Sequence, residues 1–149
     1  MFYQLATVRN RSVAELRTHC AILPRRRLAD VTLADLALHP GSFGGIYIFY
    51  SAESECLYIG KTSSCGFLER IAKHFDLREI AYMNHFPKKL LKKGICPDIP
   101  AAVRYALNCE FCAFTFSENQ LARDHSIKAE RLFRSVLVPR LNPSVDYFD

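Results

Sequence analysis

The 149-residue sequence contains no long hydrophobic run, no internal repeat and no low-complexity tract. No window approaches the ~18 consecutive apolar residues that a membrane-spanning helix needs, so we expect no membrane span. Residues 1–10 lack the apolar centre of a signal peptide, and Arg9, Arg11 and Arg17 follow too early for one. Because half of the residues are hydrophobic and no linker divides the chain, the sequence predicts one compact globular domain.

Acidic residues are fewer than basic ones: the sequence has 15 aspartates and glutamates and 20 lysines and arginines. The formal net charge of +5 is by itself a weak indication of nucleic acid binding. Several basic residues form local groups: Arg25, Arg26, Arg27, Lys73, Lys88, Lys89, Lys92 and Lys93. We expect these groups to contact a nucleic acid backbone, and the alternative is a solvated basic surface.

A second CxxC pair is also absent, although the sequence has six cysteines. A structural zinc site needs two such pairs or nearby histidines, so Cys109 and Cys112 would need His125 or Cys96 to complete a site. Because the pair falls in an apolar stretch, burial as small hydrophobic residues is the favoured interpretation. Zinc is therefore not expected, whereas reduced thiols and a cytoplasmic location are.

Local patterns predict an α+β fold with a small three-stranded antiparallel sheet flanked by helices. Residues 1–43 are expected to form a helical, basic N-terminal extension with capping boxes at Ser12 and Thr32. Residues 44–149 would form the main domain, with a basic insertion around 76–108. β-Branched and aromatic residues predict the strands, and apolar residues at helical spacing predict the helices: strands over 44–50, 56–60 and 109–116, and helices over 67–80, 100–108 and up to about 138.

Two short motifs lie on the first two predicted strands. Gly45-Ile46-Tyr47 and Tyr58-Ile59-Gly60 place their tyrosines eleven residues apart on strands that we expect to pair. Four more polar residues follow in order on the predicted helices and the turn after them: Arg70, His74, Glu130 and Asn142. This ordered set, over residues 44–143, resembles the GIY-YIG nuclease superfamily.

The resemblance implies a metal-dependent DNA endonuclease that hydrolyses a phosphodiester bond with one metal ion. Glu130 would bind Mg²⁺ or Mn²⁺, because one carboxylate with waters and phosphate oxygens is a common ligand set for such ions. Arg70 would neutralise the charge that develops on the phosphate. Symmetric cutting by a restriction-type member would also require a homo-oligomer.

The resemblance further implies that one tyrosine activates the attacking water. We expect Tyr47 to be this base, assisted by Lys61, because a nearby cation lowers the pKa of a phenol. Tyr58 and His74 would then position the water and the phosphate. Asn142 would order the site without reacting.

Other functions fit parts of the same pattern. A non-catalytic nucleic-acid-binding module would keep the fold without cutting, and a zinc-stabilised interaction domain would use Cys109 and Cys112. The two tyrosines also suit ordinary half-buried strand positions, and Glu130 suits an ion pair with Arg134 one helical turn later.

Overall fold

The computed structural model describes residues 1–39, 44–63, 65–78, 86–116 and 123–143. Within these ranges, no helix combines the length and the apolar character needed to cross a bilayer.

The first two predicted strands form the expected antiparallel hairpin. Strand β3 covers Gly45–Tyr50 and strand β4 covers Cys56–Thr62, with Tyr47 opposite Gly60 and Phe49 opposite Tyr58. The third predicted strand is also present, as β5 over Glu110–Thr115, and it pairs antiparallel with β3. These three strands form the part of the sheet that carries both tyrosine motifs.

The sheet has five strands, and the prediction of three is therefore wrong. The two additional strands come from the N-terminal segment: β1 over Phe2–Gln4 runs parallel to β5, and β2 over Arg26–Arg27 runs antiparallel to it. Strands of three and two residues are too short to show the alternating pattern on which the prediction depends. The segment before residue 40 is thus only partly helical and completes the sheet beside β5.

Six α-helices surround this sheet in the described ranges. Side-chain caps begin three of them: Ser12 and Thr32 form the predicted capping boxes, and Asp98 accepts the Ala101 N–H at the start of a third helix. These interactions satisfy N–H groups that have no partner within the helix. The helices are α1 (Val13–Ile22), α2 (Leu33–Leu38), α3 (Phe67–His74), α4 (Phe86–Lys92), α5 (Ile99–Asn108) and α6 (Arg123–Leu137).

Helix α3 ends at His74, several residues earlier than predicted. The Phe75 N–H closes the last turn on the Ala72 carbonyl, and the backbone then leaves helical geometry. Arg78 next folds back onto the Asp76 carboxylate through both its backbone and its guanidinium. The early end leaves His74 in the last turn of α3, directed into the protein.

Each face of the sheet packs against its own core. Tyr47, Phe49 and Tyr58 belong to one core, while Ile48 and Ile59 belong to the core on the other side. Opposite faces alternate along a strand, which explains why neighbouring motif residues separate in this way. Residues 140–142 then run along β4, where the Arg140 N–H bonds to the Cys56 carbonyl.

Candidate active site

Strands β3 and β4 place Tyr47 and Tyr58 on the same face of the sheet. Their ring centroids lie 6.1 Å apart with an interplanar angle of 28°. Gly60, directly opposite Tyr47, makes this possible: a Cβ at residue 60 would overlap the Tyr47 hydroxyl and ring carbons. The glycine of the second motif therefore provides the space that the tyrosine of the first motif occupies.

The other motif glycine has a backbone role. Gly45 has φ of +156°, and a Cβ there would collide with the Phe114 carbonyl on the neighbouring strand. Gly45 thus allows β3 to lie close to β5 at the point where the motif begins.

Helix α3 brings two polar side chains to the Tyr47 hydroxyl. Arg70 and His74 are four residues apart and so lie on one face of the helix. The Tyr47 oxygen lies 2.6 Å from His74 Nε2, and Arg70 Nε donates to it over 3.2 Å. Tyr47 is completely buried and His74 almost so. Three of the residues that the sequence placed in the site therefore form one hydrogen-bonded group.

The second ring nitrogen of His74 also has a partner. The backbone N–H of Phe86, the first residue of α4, donates to His74 Nδ1 over 3.2 Å. The Phe86 ring packs 4.7 Å from the Phe49 ring and 5.9 Å from the Tyr58 ring. The start of α4 is therefore part of the wall behind the tyrosines.

Burial dominates the acid–base properties of both tyrosines. It raises the pKa of Tyr47 well above the ordinary value, with Tyr58 adding to the rise and the Arg70 charge opposing it. Burial also raises the pKa of Tyr58, while Arg70 and a hydrogen bond from Tyr47 lower it. Both side chains are consequently neutral phenols at neutral pH unless a further positive charge lies beside them.

Glu130 approaches from the opposite side, on helix α6. Its Oε2 lies 3.2 Å from Lys61 Nζ and its Oε1 lies 3.8 Å from an Arg134 nitrogen. The carboxylate is 18% exposed, and its charge contributes to the raised pKa of Tyr58. The site therefore has two halves, with Tyr58 on β4 within the electrostatic reach of both.

Asn142 binds the backbone of β4 next to this tyrosine. Its Oδ1 accepts the Ile59 N–H at 3.1 Å, and its Nδ2 donates to the Ile59 carbonyl at 2.6 Å. Arg134 fixes the same segment, because Nε donates to the Asn142 carbonyl at 2.8 Å. The amide thus attaches the chain after α6 to the strand that carries the second motif.

Comparison with protein families identifies this arrangement. Residues 43–106 match the family described as the GIY-YIG catalytic domain. The chain therefore contains a GIY-YIG catalytic domain, which supports its membership of the GIY-YIG nuclease superfamily. No curated protein and no solved structure matches the chain.

The matched range covers β3, β4, α3, α4 and most of α5 of this GIY-YIG protein. It contains both tyrosines, Arg70 and His74, and it includes most of the stretch that we interpreted as a basic insertion. Glu130 and Asn142 lie beyond it, so their place in the GIY-YIG site depends on the geometry described above.

The three N-terminal arginines lie away from this centre. Arg25 is directed into the protein with only 5% of its side chain exposed; it pairs with Glu110 and lies over the Tyr50 ring. Arg26 and Arg27 are more exposed, and they pair with Asp35 and Asp30. They belong to β2, and β5 and β3 separate β2 from β4. The fold therefore does not bring this arginine run to the tyrosines.

The other basic residues lie on α3 and α4, closer to the site. Lys73 follows Arg70 on α3 and pairs with Glu69, while Lys88 donates to the Arg78 carbonyl. Burial lowers the pKa of Lys89, and the charges of Lys92, Arg134 and Lys93 lower it further. Lys89 is thus near the arginine that contacts Glu130, and Lys92 and Lys93 are exposed beside it.

The two cysteines of the CxxC pair belong to different cores. Cys109 packs on the face that carries the tyrosines, and Cys112 packs on the other face. Burial raises the pKa of each thiol to about 12. No group of three metal-binding side chains is present in the described part of the chain.

Two contributors to the site were not predicted from the sequence. Arg134 entered only as an ion-pair alternative for Glu130, although its spacing of four residues placed it on the same helix face. The Phe86 N–H acts through the backbone, so its side-chain identity gives no signal for this contact.

Proposed function

We propose that this GIY-YIG protein is a metal-dependent DNA endonuclease that hydrolyses phosphodiester bonds with a single divalent ion. The proposal rests on one observation: the fold gathers Arg70 and both motif tyrosines on one face of the sheet, and the Glu130 carboxylate lies within electrostatic reach of Tyr58. A phosphate held there meets a fixed cation, phenol hydroxyls and a metal-binding carboxylate.

Glu130 is the residue that we propose binds the metal. A single carboxylate fits Mg²⁺ or Mn²⁺, which take their remaining ligands from water and phosphate oxygens. The carboxylate is mostly buried, and Lys61 and Arg134 lie beside it. In the absence of a metal ion, these two cations balance the negative charge of Glu130. The ion would supply charge stabilisation to the phosphate and lower the pKa of a bound water.

Arg70 is the fixed cation of the proposed mechanism. Its bond to Tyr47 and its place on a packed helix hold the guanidinium still, so little reorganisation is needed when charge develops on the phosphate. Arginine suits this role because its planar donors match phosphate oxygens.

Tyr58 is the tyrosine that we propose meets the attacking water. The sequence favoured Tyr47, but Tyr47 is fully enclosed, whereas Tyr58 keeps 6% of its surface exposed. The hydrogen bond from Tyr47 stabilises a phenolate at Tyr58 in preference to one at Tyr47. Lys61 lies three residues later on the same strand and adds a positive charge beside Glu130.

The DNA backbone is proposed to lie along α4. Lys89, Lys92 and Lys93 share this helix region and lie on the side of Arg134, so their charges continue from the metal-binding half of the site. Lysines of this kind bind phosphates by releasing counterions, and the binding weakens as salt increases.

The proposal is tested with supercoiled plasmid, with linear duplex and with branched DNA, each in Mg²⁺ and in Mn²⁺. We expect nicked or linear products whose ends carry phosphate and hydroxyl groups. Loss of one charged group that stabilises the transition state commonly lowers kcat by about 10²–10³, and we expect that range for Glu130→Gln and for Arg70→Met.

Two matched variants control for unrelated effects. Glu53→Gln changes an exposed carboxylate in the turn between β3 and β4, and Arg104→Met changes an exposed cation on α5. Both should cut like the parent protein. DNA binding without cutting, over all substrates and both metals, would instead indicate a non-catalytic binding module.

A further inference from the structure

His74 lies between two hydrogen-bonding groups of different character. One is the Phe86 backbone N–H, which is 3.2 Å from Nδ1; the other is the Tyr47 hydroxyl, which is 2.6 Å from Nε2. All three groups are buried. The protonation of the imidazole is therefore decided by its partners.

A backbone N–H donates and does not accept, so His74 Nδ1 must present a lone pair to Phe86. A neutral imidazole carries one hydrogen, which places it on Nε2. In a doubly protonated ring, the Nδ1–H would point at the Phe86 N–H. Two donors would then face each other in the protein interior, which is energetically unfavourable because water does not solvate them there. The geometry thus allows one form, the neutral ring with hydrogen on Nε2.

We propose that the first amide of α4 fixes His74 in this form and makes it a hydrogen-bond donor to Tyr47. His74 is then a positioning residue and does not take the Tyr47 proton. The Tyr47 oxygen accepts from both His74 and Arg70, and this directs its own hydrogen toward Tyr58. The role in catalysis rests on the proposed nuclease function, whereas the protonation form does not.

The helix that supplies this amide also carries the basic residues near the site. The first N–H groups of a helix have no partner within it, and His74 provides one for α4. The Phe86 ring packs against Phe49 and Tyr58 and so holds the amide in place. The position of α4 therefore sets the direction of the hydrogen bonds through the tyrosine pair.

The protonation form is measured directly by NMR on protein labelled with ¹⁵N-histidine at neutral pH. Long-range ¹H–¹⁵N correlations distinguish the two neutral forms and the charged ring, and the signal lost in His74→Gln assigns the residue among the five histidines. We expect a hydrogen on Nε2 alone. Hydrogen on Nδ1, or on both nitrogens, would overturn the proposal whether or not the protein cuts DNA.

Three variants then separate a donor from a base. Glutamine at residue 74 supplies an amide N–H toward Tyr47, asparagine supplies an acceptor near Phe86, and alanine supplies neither. We expect His74→Gln to cut at least tenfold faster than His74→Ala, and His74→Asn to resemble His74→Ala. Equal loss in all three, with unchanged thermal unfolding, would contradict the donor role; for a variant that unfolds, the NMR result on the parent protein decides.

Discussion

Lys61 Nζ on β4 lies 3.2 Å from Glu130 Oε2 on α6, so the residue that follows the second motif pairs with the proposed metal ligand. Both side chains are less than one-third exposed. Lys61 and Arg134 together balance the Glu130 carboxylate, so a divalent cation bound there would compete with the lysine.

Lys61→Met should therefore strengthen metal binding. Partly exposed ion pairs contribute about 0.2–1 kcal/mol, so we expect Mn²⁺ to bind up to about fivefold more tightly, as measured by calorimetry or electron paramagnetic resonance. Cutting should not improve in parallel, because the positive charge that accompanies Glu130 is lost. Lys128→Met, an exposed change on α6, is the control. Unchanged or weaker Mn²⁺ binding in Lys61→Met would refute the competition between the two cations.

Gly60→Ala tests the packing that places Tyr47. Because the added methyl overlaps the buried ring, we expect the free energy of unfolding to fall by about 1–3 kcal/mol and cutting to fall by more than tenfold. Urea denaturation and plasmid nicking measure the two effects. Gly94→Ala is the comparison. Gly94 has a φ of +67°, and a Cβ added there would meet no atom within 4 Å. We therefore expect about 1 kcal/mol of backbone strain and normal cutting. Equal behaviour of the two variants would contradict the role given to Gly60.

The sequence predicted those strands and helices that have a recognisable local pattern of residue types. Strands β3 and β5 are rich in β-branched and aromatic residues, and Ser12 and Thr32 begin helices as their side chains indicate. Strands β1 and β2 were not predicted, because their partner on β5 is more than 80 residues away in the chain. Pairing over such separations depends on tertiary contacts that no local window contains.

The same distinction explains the site. The motif residues were named from their order along the chain, but the contacts among them depend on α3 meeting β3 and on α6 meeting β4. Arg25 shows the opposite case, since a loop of three arginines suggested solvent exposure. Its guanidinium instead bonds to Glu110 and to the Cys20 carbonyl, a pair of partners that are far apart in sequence.

Arg134→Met tests whether the segment after α6 is held by this arginine. The side chain donates to the Asn142 and Pro143 carbonyls and approaches Glu130. Hydrogen bonds from charged groups contribute about 1.5–3 kcal/mol each, and we expect the unfolding free energy to fall by about that amount. The Ile59 amide, which Asn142 protects, should exchange faster with deuterium. Arg131→Met, exposed on the same helix, should change neither quantity, and slow exchange at Ile59 in Arg134→Met would oppose the assignment.

The salt dependence of DNA binding distinguishes the basic residues on α4 from those on β2. Each phosphate contact contributes about 0.9 to the slope of log K against log salt concentration. Replacement of Lys89, Lys92 and Lys93 by glutamine, in a Glu130→Gln background without metal, should lower the slope by about 2–3 on a duplex followed by fluorescence anisotropy. Replacement of Arg26 and Arg27 by glutamine is the comparison on β2. Both arginines already pair with aspartates, and β2 lies three strands from β4. We therefore expect the slope to stay the same. A slope that falls with the β2 change and not with the α4 change would place the DNA on the other edge of the sheet.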